Sequence, residues 1–206
     1  AYSTQMAVLN LLGLYFSQVL GTLDHATYSA MVRGMEKLPE QMAQILQHTE
    51  EIQEIAKACA KSEDVFFIGR NLDYALGLEG SLKLKEISYI HSEAFAAGEM
   101  KHGPISLVEN GTLVVGILTQ PDLFEKCVSN MVEVKSRGAF LMGLTTYGNY
   151  SIEDTAGFTV YVPKTDPHFA TSLSVIPLQL LAYYVSCAKG LDVDKPRNLA
   201  KSVTVE

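Results

Sequence analysis

The feature that most constrains the fold is a set of short apolar runs that alternate with segments of helical periodicity. These runs have the length of β-strands and are VFFIGR (Val65 to Arg70), LVVGILT (Leu113 to Thr119), FLMGLTT (Phe140 to Thr146) and FTVYVP (Phe158 to Pro163). Continuous apolar strands separated by helices are typical of a parallel sheet that is covered on both faces. The sequence therefore predicts an α/β fold with a doubly wound parallel sheet flanked by helices.

Helical periodicity defines the segments around these strands. The predicted helices are Thr4 to Leu20, Thr27 to about Ala60, Tyr74 to His91, Asp122 to Arg137 and Ser172 to Lys189. Gly21 marks a turn between the first two, and Pro39 starts or kinks a helix. We predict an N-terminal helical extension over residues 1–62, the sheet domain over 63–206, and a C-terminal tail over 192–206 within that domain.

Composition excludes several classes of partner. The formal net charge is −7 and no basic runs occur, so we expect neither nucleic acid nor an acidic membrane as a partner. The apolar stretch from Met6 to Leu20 is too short and too often interrupted to span a bilayer. Cys59, Cys127 and Cys187 lie far apart without metal-ligand spacing. We therefore expect buried, reduced thiols in a cytoplasmic protein, and the absence of an initial Met suggests a fragment.

The segment from Gly77 to Pro104 carries the densest set of reactive side chains. On a helix, Glu79, Lys83 and Glu86 share one narrow face, because they are spaced by four and three residues. We call these three residues the charged stripe. Its predicted apolar flanks are Leu78, Leu82 and Tyr89 on one side, and Leu84, Ile87 and Ile90 on the other. Spacing alone leaves two interpretations, an ordinary surface ion pair or the wall of a cleft where a carboxylate moves protons.

A predicted loop follows this helix and favours the cleft. It contains Glu99 and His102 between glycines and a proline, and histidine is the side chain best suited to proton transfer near neutral pH. In doubly wound sheets, ligands bind beyond the carboxyl ends of the strands. We therefore expect the stripe helix to lie beside that edge. Arg70, which follows the first strand, is interpreted as a surface charge after a tight turn.

Two long segments resemble a known family. LEGSLKLKEISYIHSEAFAAGEMKHGP and the closing DVDKPRNLAKSVTVE are similar to the isomerase part of the glutamine–fructose-6-phosphate aminotransferases, a tandem of two sugar isomerase (SIS) domains. The chain resembles the second of these. The resemblance implies the SIS fold, a homodimer, no metal or organic cofactor, and a reaction that makes glucosamine 6-phosphate from fructose 6-phosphate and glutamine-derived ammonia. It also implies that the first SIS domain, with its phosphate cradle, and the glutaminase domain are absent, so that this fragment alone is inactive.

The resemblance further implies roles for the loop and stripe residues. Glu86 matches the general base that moves a proton between C1 and C2 of the sugar. Glu79 and Lys83 match active-site partners that set the charge and orientation of this base. His102 matches a histidine that opens the cyclic sugar and is contributed across the dimer interface by the neighbouring subunit.

The C-terminal tail has two interpretations. Its composition alone favours a flexible end. The resemblance instead implies that the tail folds over the sugar, with Arg197 and Asn198 holding it. Lys201 then forms a Schiff base with the open-chain ketose, and Ala200 contacts the substrate together with Lys201 and Glu86. The alternatives to an enzyme are a non-catalytic SIS module that binds sugar phosphates and a purely structural dimerisation unit, neither of which needs a base or a Schiff-base lysine.

Overall fold

The computed structural model describes residues 2–200 of the chain. The helices are α1 (Tyr2–Leu20), α2 (His25–Gln47), α3 (Glu50–Cys59), α4 (Leu72–Ser88), α5 (Phe124–Lys135) and α6 (Ala170–Ala188). The strands are β1 (Asp64–Gly69), β2 (His91–Ala96), β3 (Leu113–Leu118), β4 (Phe140–Thr146) and β5 (Phe158–Val162). Short 3₁₀ helices lie at Ala97–His102, Pro104–Leu107, Pro121–Leu123, Tyr150–Asp154 and Pro167–Phe169.

The strands form one parallel sheet in the order β2-β1-β3-β4-β5. From β1 the chain returns through α4 to β2 on one side, whereas β3 pairs with the other side of β1. The direction of winding therefore reverses between β1 and β3. The predicted doubly wound parallel sheet is confirmed.

Alternating side chains of β1 divide the core between the two faces of the sheet. Val65 and Phe67 belong to one apolar cluster, which includes residues of α3, α4 and α6. Phe66 and Ile68 belong to a second cluster with residues of α5. Because both faces are covered, the strands read as continuous apolar runs instead of alternating ones.

Helix α6 accounts for the most apolar stretch of the chain. Residues Pro167–Ala188 are long and apolar enough to cross a membrane by length and composition, but 78% of the 18-residue window that meets this test is buried inside the fold. The helix packs against α3 and α4. Its hydrophobicity is therefore that of a core helix.

Two glycines allow α4 to pack closely. At the turn into α4, a Cβ on Gly69 would lie 2.5 Å from the backbone carbon of Asp73. Within α4, a Cβ on Gly80 would lie 2.8 Å from Leu178 of α6 and 3.1 Å from Phe67 of β1. Neither position has room for a side chain in this arrangement, so these glycines set the distance between α4 and its neighbours.

Several predicted boundaries were wrong. The predicted helix over 27–60 is interrupted at His48 and Thr49, between α2 and α3. Pro39 lies inside α2, so it does not start a helix. The predicted helix to His91 ends at Ser88, and His91 begins β2, a strand that the sequence analysis missed. There His91 Nδ1 lies 2.5 Å from Asp64 Oδ1 at the start of β1.

The cysteines divide into two groups. Cys59 and Cys127 are buried, and burial raises the pKa of each thiol to about 12. Cys187 is exposed, which corrects the expectation that all three are buried. All three are free thiols.

Candidate active site

Helix α4 brings the three residues of the charged stripe together. Lys83 Nζ lies 3.9 Å from Glu79 Oε1 and makes a close ion pair with Glu86 Oε2. The side chains of Glu79, Lys83 and Glu86 are 17%, 31% and 25% exposed, respectively. One ammonium group therefore lies between two partly buried carboxylates.

The two flanks of the stripe differ. On one side, Leu84 and Ile90 are buried in the core. On the other, Leu78 and Leu82 are 48% and 43% exposed. The stripe therefore lies along the border of the buried face of α4 within this chain, and the expectation that apolar groups enclose it on both sides holds for one side only.

The direction of α4 corrects its expected position beside the carboxyl edge of the sheet. Helix α4 starts after the end of β1 and must return to the start of the parallel strand β2. Glu86 therefore lies toward the amino ends of the strands, the edge at which Asp64 and His91 meet. Helix α6 follows β5 in the same sense, so the C-terminal tail begins at this amino edge too.

His102 lies at the opposite edge. It ends the 3₁₀ helix that follows β2 and is exposed, whereas Ala97 and Met100 of the same short helix are buried. Strand β2 has six residues, which span about 20 Å of extended chain between the two edges. The structure thus does not bring His102 and Glu86 together in one chain.

The tail is described as far as Ala200, which is exposed. Arg197 contacts Tyr89 at the C-terminal end of α4, through its backbone and its guanidinium group. Lys201, the expected Schiff-base lysine, lies outside the described residues. The described part of the tail therefore reaches the amino edge. There it contacts Tyr89, which follows Glu86 by three residues.

The structure gives two polar side chains, Asp73 and Arg70, contacts that the sequence analysis did not predict. Asp73, in the first turn of α4, is 2% exposed and accepts hydrogen bonds from Thr119 Oγ1 at 2.5 Å and Thr119 N at 2.7 Å. Burial raises the pKa of the Asp73 carboxyl, although these hydrogen bonds oppose the shift. Arg70 is half-buried and donates from Nε and Nη2 to Asn130 Oδ1 at 3.1 and 2.9 Å, so its interpretation as a surface charge was wrong.

No signal in the sequence separates these two residues from ordinary loop charges. Both follow β1 in the run GRNLD, and their partners lie about 46 to 60 residues further along the chain. Their contacts tie the carboxyl end of β1 to the end of β3 and to α5. Among the described residues, no group of three His, Cys, Asp or Glu side chains could hold a metal ion.

The sequence of this chain is similar to that of known proteins. The SIS domain family matches residues 58–189. The glutamine–fructose-6-phosphate aminotransferases of Symbiobacterium thermophilum and Clostridium tetani are 53% and 52% identical over 206 residues, which is 100% of this chain and 34% of each relative. The chain thus spans about a third of the length of these relatives.

A solved structure gives the same result. The C-terminal domain of glucosamine-fructose-6-phosphate aminotransferase from Francisella tularensis superposes with a TM-score of 0.87 at 31% identity. The match covers 94% of this chain and 55% of that one. The chain therefore belongs to the SIS domain family and corresponds to the C-terminal isomerase part of the glutamine–fructose-6-phosphate aminotransferases.

Proposed function

We propose that this chain supplies the isomerase chemistry of an enzyme that makes glucosamine 6-phosphate from fructose 6-phosphate and glutamine-derived ammonia. The observation that carries the proposal is the arrangement of Lys83 between the carboxylates of Glu79 and Glu86, on a chain about half identical to aminotransferases of that name. Because the chain spans only a third of those relatives, the ammonia supply and the phosphate cradle belong to the remainder of the enzyme.

In this proposal Glu86 is the general base. Lys201 adds to the C2 carbonyl of the open-chain ketose and loses water, which gives an imine. Ammonia then adds at C2 and displaces the lysine. Glu86 removes a proton from C1 while the imine nitrogen takes up a proton, which gives an enolamine. Glu86 returns its proton at C2 as the C1 hydroxyl loses its own proton, which leaves the amine on C2 and an aldehyde at C1. Glu79 and Lys83 orient the Glu86 carboxylate, and Ala200 contacts the substrate beside the lysine.

The proposal also places His102 of a second copy at the site. Because His102 and Glu86 lie at opposite edges of the sheet, a histidine that opens the sugar ring must come from a neighbouring subunit. We therefore propose a homodimer. Proton transfer beside a C=N or C=O bond needs only a base and a polarised double bond, so the reaction requires no metal or organic cofactor. Free thiols, one of them exposed, fit our placement of the enzyme in the cytoplasm.

The test is Glu86→Gln in the complete enzyme. This change keeps the shape of the side chain and removes the proton acceptor, so ammonia-dependent synthesis should fall by about 10²-fold or more while the fold is preserved. The matched control is Glu54→Gln, at an exposed position on α3, which should leave turnover unchanged. Near-normal turnover of Glu86→Gln would show that another group moves the proton.

A further inference from the structure

Tyr89 occupies an unusual position at the end of α4. Its backbone is left-handed, with φ 62° and ψ 15°, directly after the last helical residue. Glycine is the usual residue where a helix ends in this conformation, since a Cβ makes the conformation unfavourable. A bulky aromatic residue here indicates that the side chain serves a purpose that glycine could not.

Tyr89 makes two contacts with the same tail residue. Its hydroxyl oxygen accepts a hydrogen bond from the backbone N–H of Arg197 at 2.9 Å. The guanidinium carbon of Arg197 lies 4.1 Å from the centroid of the Tyr89 ring, well within the range of a cation–π interaction. The ring and the hydroxyl thus fix both the side chain and the backbone of one residue of the tail.

We propose that Tyr89 is a positioning residue that seats the C-terminal tail beside the general base. This inference rests on the proposed function, because it matters for the reaction only if Lys201 forms the Schiff base. Glu86 precedes Tyr89 by three residues, or about 5 Å along the helix axis. The same side chain that ends the base helix therefore holds the tail.

The length of the chain shows how much this anchor restricts Lys201. Lys201 is the fourth residue after Arg197, so an anchored Arg197 keeps the lysine Cα within about 14 Å. A tail held only at Lys189, where α6 ends, could carry Lys201 as far as about 40 Å away. The accessible volume scales with the cube of these lengths, so anchoring reduces it by about 20-fold and raises the local concentration of the amine by a similar factor.

Proteolysis of the peptide bond between Arg197 and Asn198 measures how often the tail opens in the complete enzyme. Trypsin binds an arginine side chain in its specificity pocket, so it can cut after Arg197 only when the guanidinium leaves the Tyr89 ring. The initial cleavage rate then follows the population of the open tail. Tyr89→Phe removes the hydrogen-bond acceptor and should speed cleavage by about 5-fold. Tyr89→Gly also removes the ring and should speed it by about 20-fold.

Two controls isolate the tail. Cleavage after Arg137, an exposed residue beyond α5, should not change in either variant. Tyr150→Phe, at an exposed tyrosine near β5, should leave both the cleavage rate and turnover unchanged. A residue that served only to end the helix would be replaced by glycine without loss, because glycine adopts the left-handed conformation freely.

Turnover distinguishes the inference from the proposed function. Cleavage of a synthetic peptide of residues 190–206 gives the rate for a fully open tail, so the cleavage rate of each variant gives its open and closed fractions. We expect kcat for ammonia-dependent synthesis to fall in proportion to the closed fraction, and to fall more in Tyr89→Gly than in Tyr89→Phe. Unchanged cleavage after Arg197 in both variants would overturn the inference. A kcat that does not fall with the closed fraction would overturn the positioning role and leave the proposed function intact. Failure of the unsubstituted complete enzyme to make the product would instead overturn the proposed function, and the positioning role with it.

Discussion

Helices α1 and α4 have similar lengths, 19 and 17 residues, but α4 buries small and polar side chains whereas α1 leaves most of its large apolar side chains exposed. The buried residues of α4 are small or polar at several positions, and its charged stripe is half-buried. Helix α1 buries only Leu14 among its described residues. Its large apolar side chains that are exposed are Val8, Leu9, Leu11, Leu12, Tyr15, Phe16, Val19 and Leu20.

The burial of these two helices therefore depends on their position in the topology and not on the hydrophobicity of their side chains. Helix α4 connects two neighbouring parallel strands, so it must lie against the sheet, where α6 packs on it as well. Helix α1 precedes the sheet and contacts mainly α2 and α6, with Tyr2 at its start packed against the core. The stability of this chain should therefore depend on α4 far more than on α1.

The largest expected contrast comes from paired leucine truncations. Leu84 in α4 is 1% exposed, whereas Leu9 in α1 is 61% exposed. Leu84→Ala should lower the free energy of unfolding by about 3 kcal/mol, because it removes buried apolar atoms and leaves a cavity. Leu9→Ala should change it by less than about 0.5 kcal/mol. Urea unfolding of residues 1–206, followed by circular dichroism, measures both. Equal losses in the two variants would show that α1 is packed as firmly as α4.

A smaller contrast, of opposite sign, comes from the glycines inside the two helices. Alanine is favoured over glycine in a helix by about 1 kcal/mol. In α1, a Cβ on Gly13 meets nothing within 4 Å, so Gly13→Ala should raise the free energy of unfolding by up to about 1 kcal/mol. In α4, the new Cβ on Gly80 would press on Leu178 and Phe67. Gly80→Ala should give a net loss of about 1 kcal/mol in the same urea experiment.

A gain in stability from Gly80→Ala would contradict the close packing of α4 described here. It would mean that the tip of Leu178 moves aside without cost. The comparison with Gly13→Ala is matched, since both changes add one methyl group to a helix and differ only in what surrounds it.

Much of this fold could be predicted from the sequence, because the strands are buried on both faces. Uninterrupted apolar runs such as LVVGILT leave few other structures possible, and the observed strands agree with the four predicted ones to within a residue. Strand β2, with sequence HSEAFA, lies at the edge of the sheet and is largely half-buried. It lacks both the apolar run and a regular alternation, which is why it was missed.

The candidate site could be predicted only in part. Helical spacing places Glu79, Lys83 and Glu86 on one face, because that contact is local. The edge of the sheet at which Glu86 lies was predicted wrongly, since the rule for carboxyl edges concerns loops after strands and not the far end of a returning helix. The contacts of Asp73 and of Tyr89 join residues 46 and 108 positions apart, which spacing alone cannot reveal.

The smallest expected effect is on the pH dependence of stability. Asp24 and Asp73, at the starts of α2 and α4, should contribute to stability with opposite pH trends. Asp24 caps α2 in the N-terminal helices, and its hydrogen bonds with Thr27 lower its carboxyl pKa. Its contribution to stability is therefore present above the unfolded pKa of about 3.9 and is lost as the pH falls through the lower folded value.

Asp73 in α4 behaves in the opposite way, because burial raises its pKa above the unfolded value. Its contribution is complete below a pH of about 3.9 and is lost as the pH rises through the folded pKa. The stability lost in Asp73→Asn should therefore shrink as the pH rises from 4 to 7, whereas the loss in Asp24→Asn should shrink as the pH falls below about 4. Urea unfolding of both variants and the unsubstituted chain across this range measures the two trends. A loss in Asp73→Asn that grows with pH would show that the hydrogen bonds from Thr119 outweigh burial at this carboxyl.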